Sequence, residues 1–130
     1  MSASVPVLLW IGLQGRCAAE DGAVARGERA FQKCYACHSV EPGEDGLTGP
    51  DLRGVAGRPI AAASGFDYSD ALRALAAEDE FWSPELLDAF LADPETFAPG
   101  TSMTFVGLRD LAERHDLIAY LESTDPAGTN

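Results

Sequence analysis

Basic residues are scarce in this sequence. Its 130 residues include nine Lys or Arg against 21 Asp or Glu, which gives a formal net charge of −12 at pH 7. A chain of that charge is repelled by phosphate groups, so the composition argues against nucleic acid and anionic membrane surfaces as partners. Any protein that docks on it is expected to present a basic or neutral face.

Long apolar runs are missing as well. The apolar run at residues 5–13 is too short to span a bilayer, which takes about 20 residues. Cys17-Ala18-Ala19 places small residues at the two positions that a signal peptidase reads, so residues 1–19 are predicted to be a secretory leader cleaved before Glu20. Because no positive charge precedes the run, an atypical leader, a misplaced start and an uncleaved anchor stay open. Without the leader, residues 20–130 carry a net charge of −13 and no membrane-inserted segment.

Cysteine is limited to three residues, and two of them belong to one motif. In Cys34-Tyr35-Ala36-Cys37-His38, two cysteines are separated by two residues and followed directly by histidine. This is the attachment signature of a c-type haem. On one turn of helix both sulfurs point the same way and can form thioethers with the haem vinyl groups, while the imidazole lies under the iron. Cys17 falls in the leader, so no disulfide framework is available.

Two other chemistries use a similar spacing of cysteines. A thioredoxin-like dithiol belongs in a strand-helix-strand context, and no buried apolar strand run lies near the motif. A zinc site needs four ligands, and beyond the motif the chain offers only Cys17 and His115. His115 is interpreted as a surface residue. The motif therefore favours one covalently bound haem c.

The length of the chain corresponds to one domain, and its 46% of hydrophobic residues indicates a globular one. Apolar residues at helical spacing predict a first helix from about Asp21 to Cys37 and a last helix from roughly Leu108 to Ser123. Between them, Ser69 and Ser83 are predicted to cap two short helices, the second of which is closed by Pro94.

Two loops carry further candidate ligands. Residues 39–64 are rich in Gly and Pro and include Pro50, whose carbonyl can accept the proton on His38 Nδ1 and so fix the ring. A second loop, between the last two helices, carries Met103. It is the only methionine apart from the initiator, and its sulfur is well placed to bind the second face of the iron.

These motifs, in this order, resemble class I cytochromes c of the mitochondrial and bacterial c2 type from about Gly27 to Leu121. The matching stretches are Gly27 with Phe31, residues 34–38, 49–50, 54–58 and 65–69, Trp82, and residues 99–103 and 116–121. The resemblance implies an all-α fold of about four to five helices wrapped around one covalently bound haem. It also implies that the last helix crosses the first at Gly27.

The resemblance implies roles for individual residues. His38 and Met103 would be the axial ligands, and Arg58, Tyr68 and Trp82 would donate hydrogen bonds to a haem propionate. The implied function is a soluble, monomeric carrier of single electrons between redox proteins. It is not expected to be an enzyme, because iron with both axial positions filled has none open for substrate. Together with the leader, this predicts the periplasm or an equivalent extracytoplasmic compartment.

The chain also departs from this family. Phe90 stands where mitochondrial members usually carry a tyrosine near the methionine sulfur, so that hydrogen bond is expected to be absent. Residues 74–108 hold seven acidic residues and no Lys or Arg, whereas members with a lysine ring around the haem edge dock on acidic partners. The usual electrostatics of docking are therefore not expected here.

Two other functions stay open from the sequence. The chain could be a haem subunit held by a periplasmic dehydrogenase, although an obligate interface needs a large exposed apolar patch that residues 74–108 do not show. It could instead be a ligand-binding or peroxidatic haem protein, which requires Met103 to be absent from the iron.

Overall fold

The structure is a computed structural model that describes residues 14–125, with side chains from residue 19 onward. Five α-helices lie within that range: α1 Gln14–Phe31, α2 Asp70–Glu78, α3 Pro84–Ala92, α4 Pro94–Phe97 and α5 Leu111–Ser123. The regular elements of the described residues are all helical, apart from an isolated bridge between Pro59 and Phe81. The predicted all-α class and number of helices are confirmed.

Most of the predicted leader lies outside the described residues, the first of which is Gln14. From there α1 continues through the predicted cleavage point before Glu20. Within the described range, no helix is both long and apolar enough to cross a membrane.

Helices α1 and α5 cross with their backbones in close contact. A Cβ built on Gly27 of α1 would lie 1.9 Å from the carbonyl oxygen of Asp116 and 2.7 Å from the Cβ of Tyr120, so only glycine fits at the crossing. The apolar faces meet there as well, because Phe31 of α1 and Leu117 of α5 are almost completely buried. The predicted crossing at Gly27 is therefore present in the structure.

Both predicted bounds of the first helix were wrong, because α1 begins at Gln14 rather than at about Asp21. Helix α1 ends at Phe31 rather than at Cys37. Beyond it, the N–H groups of Gln32, Lys33 and Cys34 donate to carbonyls three residues earlier, at 2.8 to 3.2 Å. Such bonds tighten the chain below the α-helical diameter, so the cysteine motif lies on turns that follow α1.

The predicted caps of α2 and α3 are confirmed. Ser69 Oγ accepts the N–H of Leu72 at 3.3 Å, and Ser83 Oγ accepts the N–H of Leu86 at 3.1 Å. Each serine satisfies an N–H that would otherwise lack a partner at the start of its helix.

Helix α3 ends at Ala92, just before Pro94, as predicted. The sequence did not predict the short helix α4, which Pro94 opens after Asp93, whose side chain accepts the N–H of Thr96 at 3.2 Å. Helix α5 begins at Leu111 rather than Leu108, because Asp110 is its N-cap. The predicted irregular loop over residues 39–64 is confirmed, since it contains no helix.

Candidate cofactor site

The cysteine motif forms a tight turn. The carbonyl of Cys34 accepts hydrogen bonds from the N–H groups of both Cys37, at 3.1 Å, and His38, at 2.9 Å. This turn replaces the helical turn that the sequence predicted, and both cysteines still line the same cavity.

His38 is held by the loop that follows it. The residue is buried, with 8% of its surface exposed, and its Nδ1 lies 2.7 Å from the carbonyl oxygen of Pro50. Since a carbonyl can only accept, Nδ1 carries the proton and Nε2 keeps its lone pair. Burial lowers the pKa of His38 against the opposing effect of the Pro50 carbonyl. The Pro50 carbonyl therefore holds the ring in one tautomer, in which Nε2 has a lone pair to donate.

Gly49 is the neighbour that makes room for this ring. A Cβ on Gly49 would lie 2.4 Å from His38 Cε1 and 2.7 Å from Nδ1. The N–H of Gly49 also donates to the carbonyl of Cys37 at 2.7 Å, which holds the loop against the motif. Any larger residue would displace the imidazole or the loop.

One cavity of about 320 Å³ brings the predicted site residues together. All eight of them line it: Cys34, Cys37, His38, Pro50, Arg58, Tyr68, Trp82 and Met103. The remaining wall is mostly apolar, and it includes Leu72, Leu87, Phe90 and Leu91. None of its lining residues is Asp or Glu. The sequence motifs thus meet around one apolar space, although they are spread over 70 residues.

Arg58 presents an unsatisfied donor in this cavity wall. One terminal nitrogen of its guanidinium donates to the carbonyl of Asp51 at 2.8 Å, and the other to the carbonyl of Arg53 at 3.3 Å. Its Nε is buried and has no hydrogen-bond partner. A buried N–H without an acceptor is costly, so a hydrogen-bond acceptor on a bound molecule would be favourable at this position.

Tyr68 and Trp82 lie in the same wall. The hydroxyl of Tyr68 accepts the N–H of Ala63 at 3.0 Å, which leaves its own proton to donate. Trp82 is buried, and its ring packs on Phe90 with 5.3 Å between ring centroids. Both residues therefore lie where they can contact a molecule in the cavity.

Met103 reaches the cavity from the loop between α4 and α5. It is partly buried, and its N–H donates to Thr101 Oγ1 at 3.3 Å. The preceding turn is fastened by Glu95, whose carboxylate accepts the N–H of Gly100 at 3.1 Å. Phe90 lines the same cavity and brings no hydroxyl group to it.

The structure gives less support to a reactive dithiol or a zinc site at the cysteines. Burial raises the pKa of the Cys34 thiol to about 11, whereas a reactive dithiol needs a lowered value. In the part of the chain that the structure describes, no group of three or more His, Cys, Asp or Glu could hold a metal ion. His115 is exposed, as predicted.

The residues present fit a haem c. The cavity offers two thiols for thioether bonds, an imidazole nitrogen and a thioether sulfur for iron, and an unpartnered guanidinium N–H for a carboxylate. Sequence reasoning missed the steric role of Gly49 and the presence of Lys33 in the lining, since both depend on how distant segments pack.

Comparison with known proteins points the same way. The family model for cytochrome c matches residues 24–125. Cytochrome c-550 of Ancylobacter novellus is 40% identical over 105 residues, which cover 81% of this chain and 98% of that protein. Cytochrome c2 of Agrobacterium tumefaciens is 38% identical over 101 residues, with 78% and 91% covered. The structure of cytochrome cH from Methylobacterium extorquens superposes with a TM-score of 0.70 at 40% identity, over 77% of this chain and 97% of that one.

Proposed function

Since the chain belongs to the cytochrome c family, we propose that His38 and Met103 are the two axial ligands of its iron. The protein is a carrier of single electrons, and its one haem c is attached through Cys34 and Cys37. The observation that supports the proposed ligation most directly is that the side chains of His38 and Met103 line one cavity. His38 also has Nδ1 bound to Pro50, so that Nε2 is left for the metal.

Two neighbours of His38 hold its ring in an orientation suited to binding iron. The Pro50 carbonyl fixes the orientation of the His38 ring and raises its basicity, and Gly49 leaves room for the ring. When bound, the haem supplies an iron that accepts or releases one electron. If His38 and Met103 both hold the iron, no position on it would be open for a substrate. We therefore propose a carrier rather than an enzyme.

Arg58, Tyr68 and Trp82 are proposed to bind a haem propionate. The buried Nε of Arg58 lacks an acceptor, and the Tyr68 hydroxyl still has its proton to donate. The apolar walls around them exclude water from the ligands. Burial together with His and Met ligation favours the reduced state, so we expect a high-potential carrier.

The partners are redox proteins, and we propose that they dock through a basic or neutral face. The net charge is −12. Among the side chains that the structure describes, four basic ones are bound in ion pairs. These pairs are Arg26–Asp116, Lys33–Glu113, Arg73 with Asp67 and Asp70, and Arg114–Asp88. The 21 acidic residues far outnumber the nine basic ones, so an acidic partner would be repelled overall. The same charge makes copies of the chain repel each other, which supports a monomer.

Electron exchange with small complexes of known charge tests the carrier and its surface together. The ferrous protein should reduce a cationic cobalt complex at a rate that falls by about tenfold between low and high salt. Its reduction of ferricyanide, which is anionic, should become faster over the same range. Stopped-flow absorbance measures both. Opposite slopes are required; a rate that falls with salt for ferricyanide would show a basic contact surface and refute the proposed docking charge.

We propose a periplasmic location, supported by the leader pattern in residues 1–19. The protein isolated from its host is then expected to begin at Glu20 and to have the mass of residues 20–130 plus one haem. Intact-mass spectrometry and N-terminal sequencing measure this. A chain that still carries Met1 would contradict the cleavage, and a mass without haem would contradict the attachment.

A further inference from the structure

A buried cation lies outside the cofactor cavity. Arg114 of α5 has a side chain that is only 11% exposed, and its Nε donates to Asp88 of α3 at 2.7 Å. One of its terminal nitrogens donates to two carbonyls, those of Leu108 at 2.8 Å and Arg109 at 3.0 Å. A buried guanidinium is tolerated only when it is paired and hydrogen-bonded in this way.

The two carbonyls belong to the end of the segment that carries Met103. We call residues 98–109 the distal segment. At its start, the N–H of Ala98 donates to the carbonyl of Pro94 at 2.8 Å, and that of Thr101 to Ala98 at 3.0 Å. From Thr101 to its end the segment forms no helix. The fastening at its far end therefore determines how firmly the part with Met103 is held.

That far end is fastened to α3 and α5. The N–H of Leu108 donates to the carbonyl of Leu91 at 2.8 Å. Gly107 has φ of +108°, and a Cβ there would lie 2.2 Å from the carbonyl oxygen of Ala92. Arg114 completes this contact, because it binds the carbonyls of the segment and Asp88 of α3 at once.

The structure assigns Arg114, together with Asp88, the role of a positioning pair that keeps the distal segment closed and Met103 directed into the cavity. This inference rests on the proposed ligation of iron by Met103. If the segment lifts, the guanidinium loses two carbonyl acceptors while it stays buried beside Asp88. Opening is therefore disfavoured as long as the pair is intact.

Binding of imidazole to the ferric holoprotein measures this opening. Imidazole can reach the iron only when Met103 has left, so its apparent affinity rises in proportion to the open fraction. Arg114→Met should bind imidazole about tenfold more tightly than the parent. Asp88→Asn, which keeps the carbonyl bonds, should show a smaller gain of about threefold, and Arg114→Lys should restore part of the parental affinity.

The matched control is Arg26→Met. It removes the ion pair between Arg26 and Asp116, which joins α1 to α5 and has no partner in the distal segment. Imidazole affinity should not change in this variant. Unfolding by denaturant, followed by circular dichroism, is measured for every variant so that local opening is distinguished from global loss of stability.

The outcomes distinguish the positioning role of Arg114 from the ligation of iron by Met103. If Arg114→Met and Asp88→Asn lose global stability but bind imidazole as the parent does, Arg114 has no positioning role. If Arg114→Met does not fold, Asp88→Asn and Arg114→Lys give the same decision. A parent that lacks the red absorption band of methionine-ligated ferric haem would contradict ligation by Met103 itself, and this is seen before any variant is made.

Discussion

Replacing Met103 by alanine is expected to lower the reduction potential by at least about 0.1 V, within the roughly 0.8 V range that axial ligands span. A thioether stabilises ferrous iron, and the small side chain leaves that position to water or to an added ligand. The ferric variant should also lose the red absorption band of methionine ligation. Spectroelectrochemical titration of parent and variant measures both changes.

The neighbouring substitution Ser102→Ala serves as a control. Ser102 belongs to the same loop and lines the same cavity, but it leaves Met103 in place. It should keep the band and shift the potential by only a small part of the Met103→Ala effect. If the parent shows no such band, or if Met103→Ala keeps the parental potential, the proposed ligation is wrong, and a ligand-binding or peroxidatic function becomes the better interpretation.

Gly27→Ala is expected to reduce the free energy of unfolding by about 3 kcal/mol or more. The new methyl group would lie 1.9 Å from a backbone oxygen of Asp116 and 2.7 Å from Tyr120 Cβ. Neither atom belongs to the end of a flexible side chain, so α1 and α5 have to move apart. Their separation also loosens the packing of Phe31 and Leu117. Denaturant unfolding of the holoprotein measures the loss.

Gly22→Ala is the matched control for this substitution in the same helix. A Cβ on Gly22 would meet only a terminal nitrogen of Arg26, at 3.2 Å, and that side chain can move aside. Because alanine favours the helix over glycine, this variant should be neutral or more stable by up to about 1 kcal/mol. Equal destabilisation by both variants would show that the loss at Gly27 does not come from its close crossing with α5.

Local signals in the sequence were enough to predict part of the fold. Ser69 and Ser83 marked the starts of α2 and α3, because a capping side chain acts on N–H groups two or three residues away. The ordered motifs also predicted every one of the eight candidate site residues, which the structure brings around one cavity. Their roles toward the haem stay predictions, for which the Met103 experiment is the first test.

The sequence did not predict features that depend on the detailed hydrogen bonding of the fold, such as the bounds of the first and last helices. Periodicity cannot distinguish bonds to the third residue from bonds to the fourth, so α1 was extended past Phe31. The predicted start of the last helix at Leu108 was three residues too early, because the N–H of Leu108 is bonded to the carbonyl of Leu91 in α3. No local pattern in the sequence indicates that Arg114 is buried. Its burial depends on Asp88 and on two carbonyls that its own helix does not contain.

The unpartnered Nε of Arg58 has a consequence for how the protein is assembled. A chain folded without its cofactor would bury a cationic N–H beside an apolar space of about 320 Å³, and both features oppose folding. Maturation then resembles the last step of folding, in which the prosthetic group completes the core. Since thioether bonds do not dissociate, the stability gained in this way is independent of the concentration of free haem, unlike that of a reversibly bound cofactor.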